Sequence, residues 1–346
     1  MADEQFKVNK YFKTLDKSRV QCMLCPHNCI LHPDRVGLCK TRKNIDGKLY
    51  SLVYGKPCSV NIDPIEKKPL YHFYPGQRIL SLGTFGCNLF CKGCQNYDIS
   101  RADAQSLGPG PLLQNPQDIL DMAQENDTKL IAYTYNEPTI FFEYMLDTAK
   151  LAHKKGLKNA IVSNGFINEE PLKELLPYID AANIDLKAFD EKFYKEYANA
   201  SLEPVLKTIK IIAAYNKKNK HKVWLELTNL LIPKLNDDFS EIKKMCDWIA
   251  KLDKNIPLHF SRFFPYYEAD SPMTPVETLE KAKEIALKAA LRNVYIGNLG
   301  INDNTYCKKC KTLLIQRVHY TANIVGLTGP KHNKCKKCKT VLGGVF

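Results

Sequence analysis

The stretch Arg78-Ile-Leu-Ser-Leu-Gly83-Thr-Phe-Gly-Cys87-Asn-Leu-Phe-Cys91-Lys-Gly-Cys94 opens as a short apolar run and ends in three closely spaced cysteines. The run at 78–84 is the first of seven strand candidates; the others are 130–135, 159–163, 182–186, 223–230, 258–263 and 294–296. Helical patterns fill the gaps at 116–124, 139–154, 169–176, 205–215, 239–252 and 275–290. Phe141, Met145, Thr148 and Ala152 trace one such helical face. Asp238 and Thr274 read as N-caps, the latter followed by Pro275 at the first helical position. No internal repeat or low-complexity tract stands out. Strand–helix alternation of this length predicts an α/β fold, a parallel sheet closed part-way into a TIM-like (βα)6 barrel over residues 78–300. Chemistry in such barrels gathers at the C-terminal ends of the strands.

Polar residues fall where that rule looks for them. Asn136 and Glu137 follow the second run, Ser163 and Asn164 the third, and Asp185 and Lys187 the fourth. Asp185 and Lys187 are two apart, so an extended segment puts them on one side. Buried charge is expensive unless it is paired or used. Taken alone, Asn-Glu-Pro and Ser-Asn-Gly are equally readable as strand-ending turns. Glu226, Thr228 and Arg262 are weaker candidates, equally readable as a barrel-end salt bridge.

Cys87, Cys91 and Cys94 have the spacing C-x3-C-x2-C. Three thiolates on one loop do not close a tetrahedral zinc site without a distant fourth ligand. They suit a four-iron cluster with one iron left open. The triplet resembles the signature of radical S-adenosylmethionine (SAM) enzymes. The longer string from Gly86 to Ser100 is similar to the AmmeMemoRadiSam system radical SAM enzymes, relatives of the pyruvate formate-lyase activating enzymes. The strings Cys22-Met-Leu-Cys-Pro-His-Asn-Cys29, Asn61-Ile-Asp-Pro-Ile-Glu-Lys-Lys-Pro-Leu70, Tyr135-Asn-Glu-Pro-Thr139, Asn183-Ile-Asp-Leu-Lys187 and Thr228-Asn-Leu-Leu-Ile-Pro233 extend the resemblance over nearly the whole chain.

The resemblance implies a [4Fe–4S] cluster on Cys87, Cys91 and Cys94, with SAM chelating the open iron. It implies that Asn136, Glu137, Ser163, Asn164, Asp185 and Lys187 form the SAM pocket. It implies reductive SAM cleavage to a 5′-deoxyadenosyl radical that takes a hydrogen atom from a substrate. One departure stands out: the family carries an aromatic residue before the third cysteine, and this chain has Gly93. Phe90 or Tyr97 is the expected substitute beside the adenine.

Ten further cysteines accompany the triplet in this 346-residue chain. Cys307, Cys310, Cys335 and Cys338 form two C-x2-C pairs close to a zinc-ribbon pattern, with a hairpin expected between them. Such a unit, taken as residues 301–346, depends on its metal for folding. Cys22, Cys25, Cys29 and Cys39 form a second set, for zinc or a second iron–sulfur cluster, within an N-terminal extension over residues 1–77. His27 is a competing ligand there, whereas Cys58 and Cys246 read as packed thiols.

The net charge of +13 is uneven: residues 1–50 hold ten Lys/Arg against five Asp/Glu, and residues 307–346 hold nine with no acid. A basic end of this kind suits an acidic partner or an RNA backbone. With no apolar run long enough for a membrane span and no secretory stretch at the start, a cytoplasmic protein is expected. Three functions follow: a radical SAM enzyme served by an electron-donor protein and acting on an unidentified substrate, a protein among the candidates; a radical SAM enzyme modifying RNA held by the basic ribbon; or a non-catalytic, metal-stapled binding module. No residue is nominated as catalytic.

Overall fold

The computed structural model describes residues 6–103, 114–300 and 303–346. The opening five residues, read above for a secretory stretch, lie outside them, as do the first two of the 301–346 segment.

Seven parallel strands run in chain order across one sheet: Arg78–Gly83, Leu130–Tyr133, Lys158–Ser163, Ala181–Asp185, Trp224–Leu231, Leu258–Arg262 and Val294–Gly297. Each neighbouring pair is parallel, and the sheet is open rather than closed on itself. An eighth strand, Ser59–Pro64, adds antiparallel to Arg78–Gly83 at one edge. Only a three-residue 3-10 turn, Ile65–Lys67, lies between it and its neighbour, so the alternation of strands and helices does not reveal it. The central strands are buried on both faces, as Leu130–Tyr133 is: Ile131 and Tyr133 face the helices, whereas Leu130 and Ala132 pack with Ile65, Leu70 and Phe73. These helices include Pro116–Glu125, Phe142–Lys154, Leu202–Lys218, Phe239–Asp253 and Val276–Lys288. Among the described residues, no helix is long and apolar enough to cross a membrane.

Local signals hold where a side chain meets an orphan backbone amide. Asn115 closes a capping box on the Pro116–Glu125 helix, and Asp238 accepts from the amides of Ser240 and Glu241. Thr274 does not cap. The helix starts one residue later than expected, with Pro275 at its N-cap, and Thr274 is wholly buried. Its hydroxyl donates to the Leu231 carbonyl and accepts from the Phe263 amide, stitching two strand ends together.

The N-terminal segment forms two small three-stranded sheets, one built from Phe12–Thr14, Val20–Cys22 and Ile30–Leu31. The tail forms a hairpin, Leu313–Val318 with Thr321–Ile324, as its apolar stretch suggests. A short repeat does exist there, contrary to expectation: Cys-Lys-Lys-Cys-Lys-Thr occurs at 307–312 and again at 335–340. Both copies fold alike, with the first cysteine amide donating to the threonine carbonyl and the fifth residue in the left-handed region. The four tail sulfurs lie within 4.8 Å of one another, which suits a single tetrahedral ion.

The tail packs on the segment before the first parallel strand, at the N-terminal end of the sheet. The Arg317 guanidinium, 1% exposed, donates to the Tyr71 carbonyl and lies 4.1 Å over its ring. His72 Nδ1 donates to the Gly343 carbonyl, and its Nε2 accepts from Tyr295. Beneath them Glu226, fully buried, accepts from the Tyr71 and His72 amides, from Trp224 Nε1 and from His259 Nε2. Glu226 and His259 therefore form a buried pair at this end, far from the strand C-termini.

Burial, with Arg317 and His259 nearby, holds the His72 pKa down to about 4 against the pull of Glu226 and the Gly343 carbonyl. The folded state keeps His72 neutral while the unfolded chain protonates near the ordinary 6.5. Its stabilisation is whole above that value and is lost as pH falls towards 4, by at most about 3 kcal/mol. Thermal unfolding between pH 7 and 5 should show a falling midpoint. The fall should shrink in His72→Gln, and an equal fall in the variant would remove His72 as its cause.

Candidate functional site

A cavity of about 200 Å³ opens at the C-terminal ends of the parallel strands. Its wall includes Cys87, Cys91 and Cys94 from the loop after the first parallel strand, and Tyr135 and Asn136 after the second. Asn164 follows the third, Asp185 and Lys187 come from the fourth, and Leu230 and Ile232 from the fifth. Residues nearly 150 apart in sequence thus meet because parallel strands start their loops at one edge.

The cysteine loop is held by backbone-directed side chains. Asn136 Nδ2 donates to the carbonyls of Thr84 and Gly86, at 2.7 and 2.6 Å. Its Oδ1 is buried and has no partner. Gly86 has φ of 85°, and a side chain there would collide with the Cys39 carbonyl. Burial pushes the Cys87 and Cys91 thiols up, and the Lys187 ammonium pulls Cys91 back down. Lys187 Nζ donates to Asp185 Oδ2 at 2.8 Å. Burial opposes its charge, yet Asp185 and Cys91 prevail and hold its pKa well above the ordinary lysine value.

Glu137 and Ser163 were expected in the pocket but do not reach its wall. The Glu137 carboxylate is fully buried and accepts from the Thr139 amide and hydroxyl, the Ser163 hydroxyl and the Asn164 amide. All four donors lie within the framework, so the carboxylate joins two strand ends.

Neither Phe90 nor Tyr97 lines the cavity. Phe90 lies under the Arg101 guanidinium, and Tyr97 stacks on Tyr267 with centroids 5.0 Å apart. Phe193 and Tyr197 line it instead, stacked at 4.8 Å. They account for Gly93: its amide donates to the Tyr197 hydroxyl, and a Cβ there would sit 2.5 Å from that oxygen and 2.8 Å from Phe263. The cavity's aromatic surface comes from the helix Glu191–Ala198, which is absent from the helical patterns read from the sequence.

Sequence reasoning also missed Tyr135. Its φ of 72° is unusual for a bulky residue. Its hydroxyl donates to Asp63 Oδ2 at 2.7 Å, from the antiparallel edge strand. The Asn61-to-Leu70 string therefore braces the cavity: Asp63 holds Tyr135, and the Pro69 carbonyl accepts from Asn183.

A sequence profile of the Radical SAM superfamily matches residues 81–249. The chain is 42% identical over 321 residues to an uncharacterized protein of Methanocaldococcus jannaschii, covering 92% of this chain and 93% of that one. It is 28% identical over 238 residues to a protein of the same organism provisionally named a glycyl-radical enzyme activating enzyme, covering 68% and 86%. Among solved structures, a domain of pyruvate-formate lyase-activating enzyme from Bacteroides vulgatus aligns with TM-score 0.42 and 19% identity, over 48% of this chain and 98% of that one.

Removing the Glu137 carboxylate strands four donors in the interior. Glu137→Ala should cost at least about 3 kcal/mol of stability, whereas Asp185→Ala on the cavity wall should cost within about 1 kcal/mol. Denaturant titration of both variants decides, and equal losses would mean that Glu137 does not tie the wall together.

Proposed function

The chain belongs to the radical SAM superfamily, and on that premise we propose that it reductively cleaves SAM at a [4Fe–4S] cluster held by Cys87, Cys91 and Cys94. The observation that carries this reading is the convergence of three thiols and one ion pair on a single cavity. The donor set fits the group: three thiolates leave one iron of four open. When bound, the cluster supplies the electron that breaks the sulfonium C–S bond of SAM and starts hydrogen abstraction.

The chain's own residues bind, orient and shield. The Lys187 cation is the group suited to the methionine carboxylate, with Asp185 fixing the lysine. Leu89, Leu230 and Ile232 give the wall an apolar part that keeps water from the reacting centre. Phe193 and Tyr197 offer a flat face for the adenine. In the tail, zinc is the ion for the four close sulfurs. All thirteen cysteines are unbridged, which suits a reducing cytoplasm with an electron-donor protein at hand.

A protein is the substrate class we favour, because a relative covering two thirds of the chain is named as an activating enzyme. The RNA reading rests on the basic tail, whose four-cysteine end packs beside the Tyr71–His72 segment while its Tyr320 lines a second cavity with Gly93, Gln95 and Leu230. The open three-cysteine loop in a polar cavity argues against a purely structural module.

Anaerobic reconstitution with iron and sulfide, then reduction in the presence of SAM, should release methionine and 5′-deoxyadenosine. Cys87→Ala, Cys91→Ala and Cys94→Ala should each lose this cleavage by more than about 100-fold. Asp185→Ala should keep its iron and weaken SAM binding about tenfold. Full cleavage in any one cysteine variant would sink the assignment.

A further inference from the structure

A second cavity, of about 330 Å³, adjoins the first and shares Gly93 and Leu230 with it. Arg262, the last residue of the sixth parallel strand, lies on its wall. Phe264 and Tyr266 come from the loop between that strand and the helix Val276–Lys288. The same loop crosses the cysteine loop, where the Glu268 amide donates to the Lys92 carbonyl. Tyr320 enters from the turn of the tail hairpin. Phe264, Tyr266 and Tyr320 are 37%, 45% and 42% exposed, so three aromatic side chains stand open to solvent around one cavity. Exposed aromatic surface gathered beside a reaction site marks a place for a partner.

Arg262 is the charged residue among those lining this cavity. Its Nε donates to the Thr274 carbonyl at 2.8 Å, and its guanidinium lies 5.6 Å from the centre of the Phe264 ring. Thr274 is wholly buried and bonded to both Leu231 and Phe263, so the arginine is anchored on a fixed point. The barrel-end salt bridge that the sequence allows for Arg262 does not form: among the described residues, no carboxylate pairs with it. Its two terminal nitrogens keep their donors for a ligand. A planar fork of that kind matches the two oxygens of a carboxylate. Lys187 in the first cavity differs, since Asp185 already occupies it.

We propose that the second cavity receives an extended segment of a protein substrate, and that Arg262 binds an acidic side chain of that segment. This deepens the function proposed above and rests on it for what the first cavity does. The shared wall at Gly93 and Leu230 puts a chain seated in the second cavity within reach of the first. Tyrosine, phenylalanine and arginine together are the residues that protein interfaces favour at their centres. A nucleic-acid backbone needs several cations, and Arg262 alone supplies charge among the lining residues. Tyr320 gives the tail a part in the site, because the hairpin that carries it closes one side of the cavity.

The test is calorimetric titration of the full chain, reconstituted anaerobically with iron and sulfide and held with SAM. The probes are two end-blocked peptides, Gly-Phe-Glu-Phe-Gly and Gly-Phe-Gln-Phe-Gly, and the oligonucleotide tetrauridylate. The glutamate peptide should bind the wild type about tenfold more tightly than the glutamine peptide. Arg262→Gln should erase that preference, and Tyr320→Ala should weaken both peptides alike. Arg262→Lys should keep part of the preference, and it stands in for Arg262→Gln if that variant does not fold. Equal binding of the two peptides to the wild type, or no binding at millimolar concentration, would overturn the proposal. So would a preference that survives Arg262→Gln, or tighter binding of tetrauridylate than of the glutamate peptide. Absent SAM cleavage with the peptide preference intact would instead overturn the cluster reading and leave this one standing.

Discussion

Everything at the cavity depends on how one strand end is tied. Two successive residues after the second parallel strand divide the work. Asn136 donates to two carbonyls of the cysteine loop, and Glu137 accepts four hydrogen bonds from its own turn and from the end of the third strand. A buried carboxylate is costly unless its donors are complete. Here they are, so the carboxylate makes the geometry specific instead of merely stable. The cysteine loop is thereby fixed to the sheet without either residue giving up a bond to a ligand.

The two cysteine-rich ends act on opposite edges of that sheet. The N-terminal hairpins lie against the cysteine loop through Cys39, His27 and Lys40. The tail lies against the other end, where Arg317 and the Gly343 carbonyl close over Tyr71 and His72. Glu226 and His259 belong to this second end, where they hold backbone amides and aromatic rings rather than a ligand.

Most of the sheet was legible, because its strands are apolar on both faces and its helices carry a clean period. Boundaries moved by a residue or two, as at Lys158–Ser163 and Trp224–Leu231. The antiparallel edge strand Ser59–Pro64 was not legible, since only Asp63 in it is buried and only a three-residue 3-10 turn, Ile65–Lys67, follows it. In the site, residue types signalled which loops mattered but not which way each side chain points. Asn136, Asn164, Asp185 and Lys187 reach the cavity, whereas Glu137 and Ser163 turn into the framework. Gly93 could be seen as a departure, but its reason lay about a hundred residues away, in Tyr197. Long-range substitution of one aromatic by another leaves no local signal.

The central claim is that three thiols and one ion pair share a cavity built for an open iron cluster and its sulfonium partner. An anaerobic crystal structure of the reconstituted protein with SAM, phased on iron, tests it most directly. The account predicts iron density bonded to Cys87, Cys91 and Cys94, with the methionine end of SAM on the remaining iron between Asn136 and Lys187. A single ion at the triplet, or SAM bound away from it, would contradict the account.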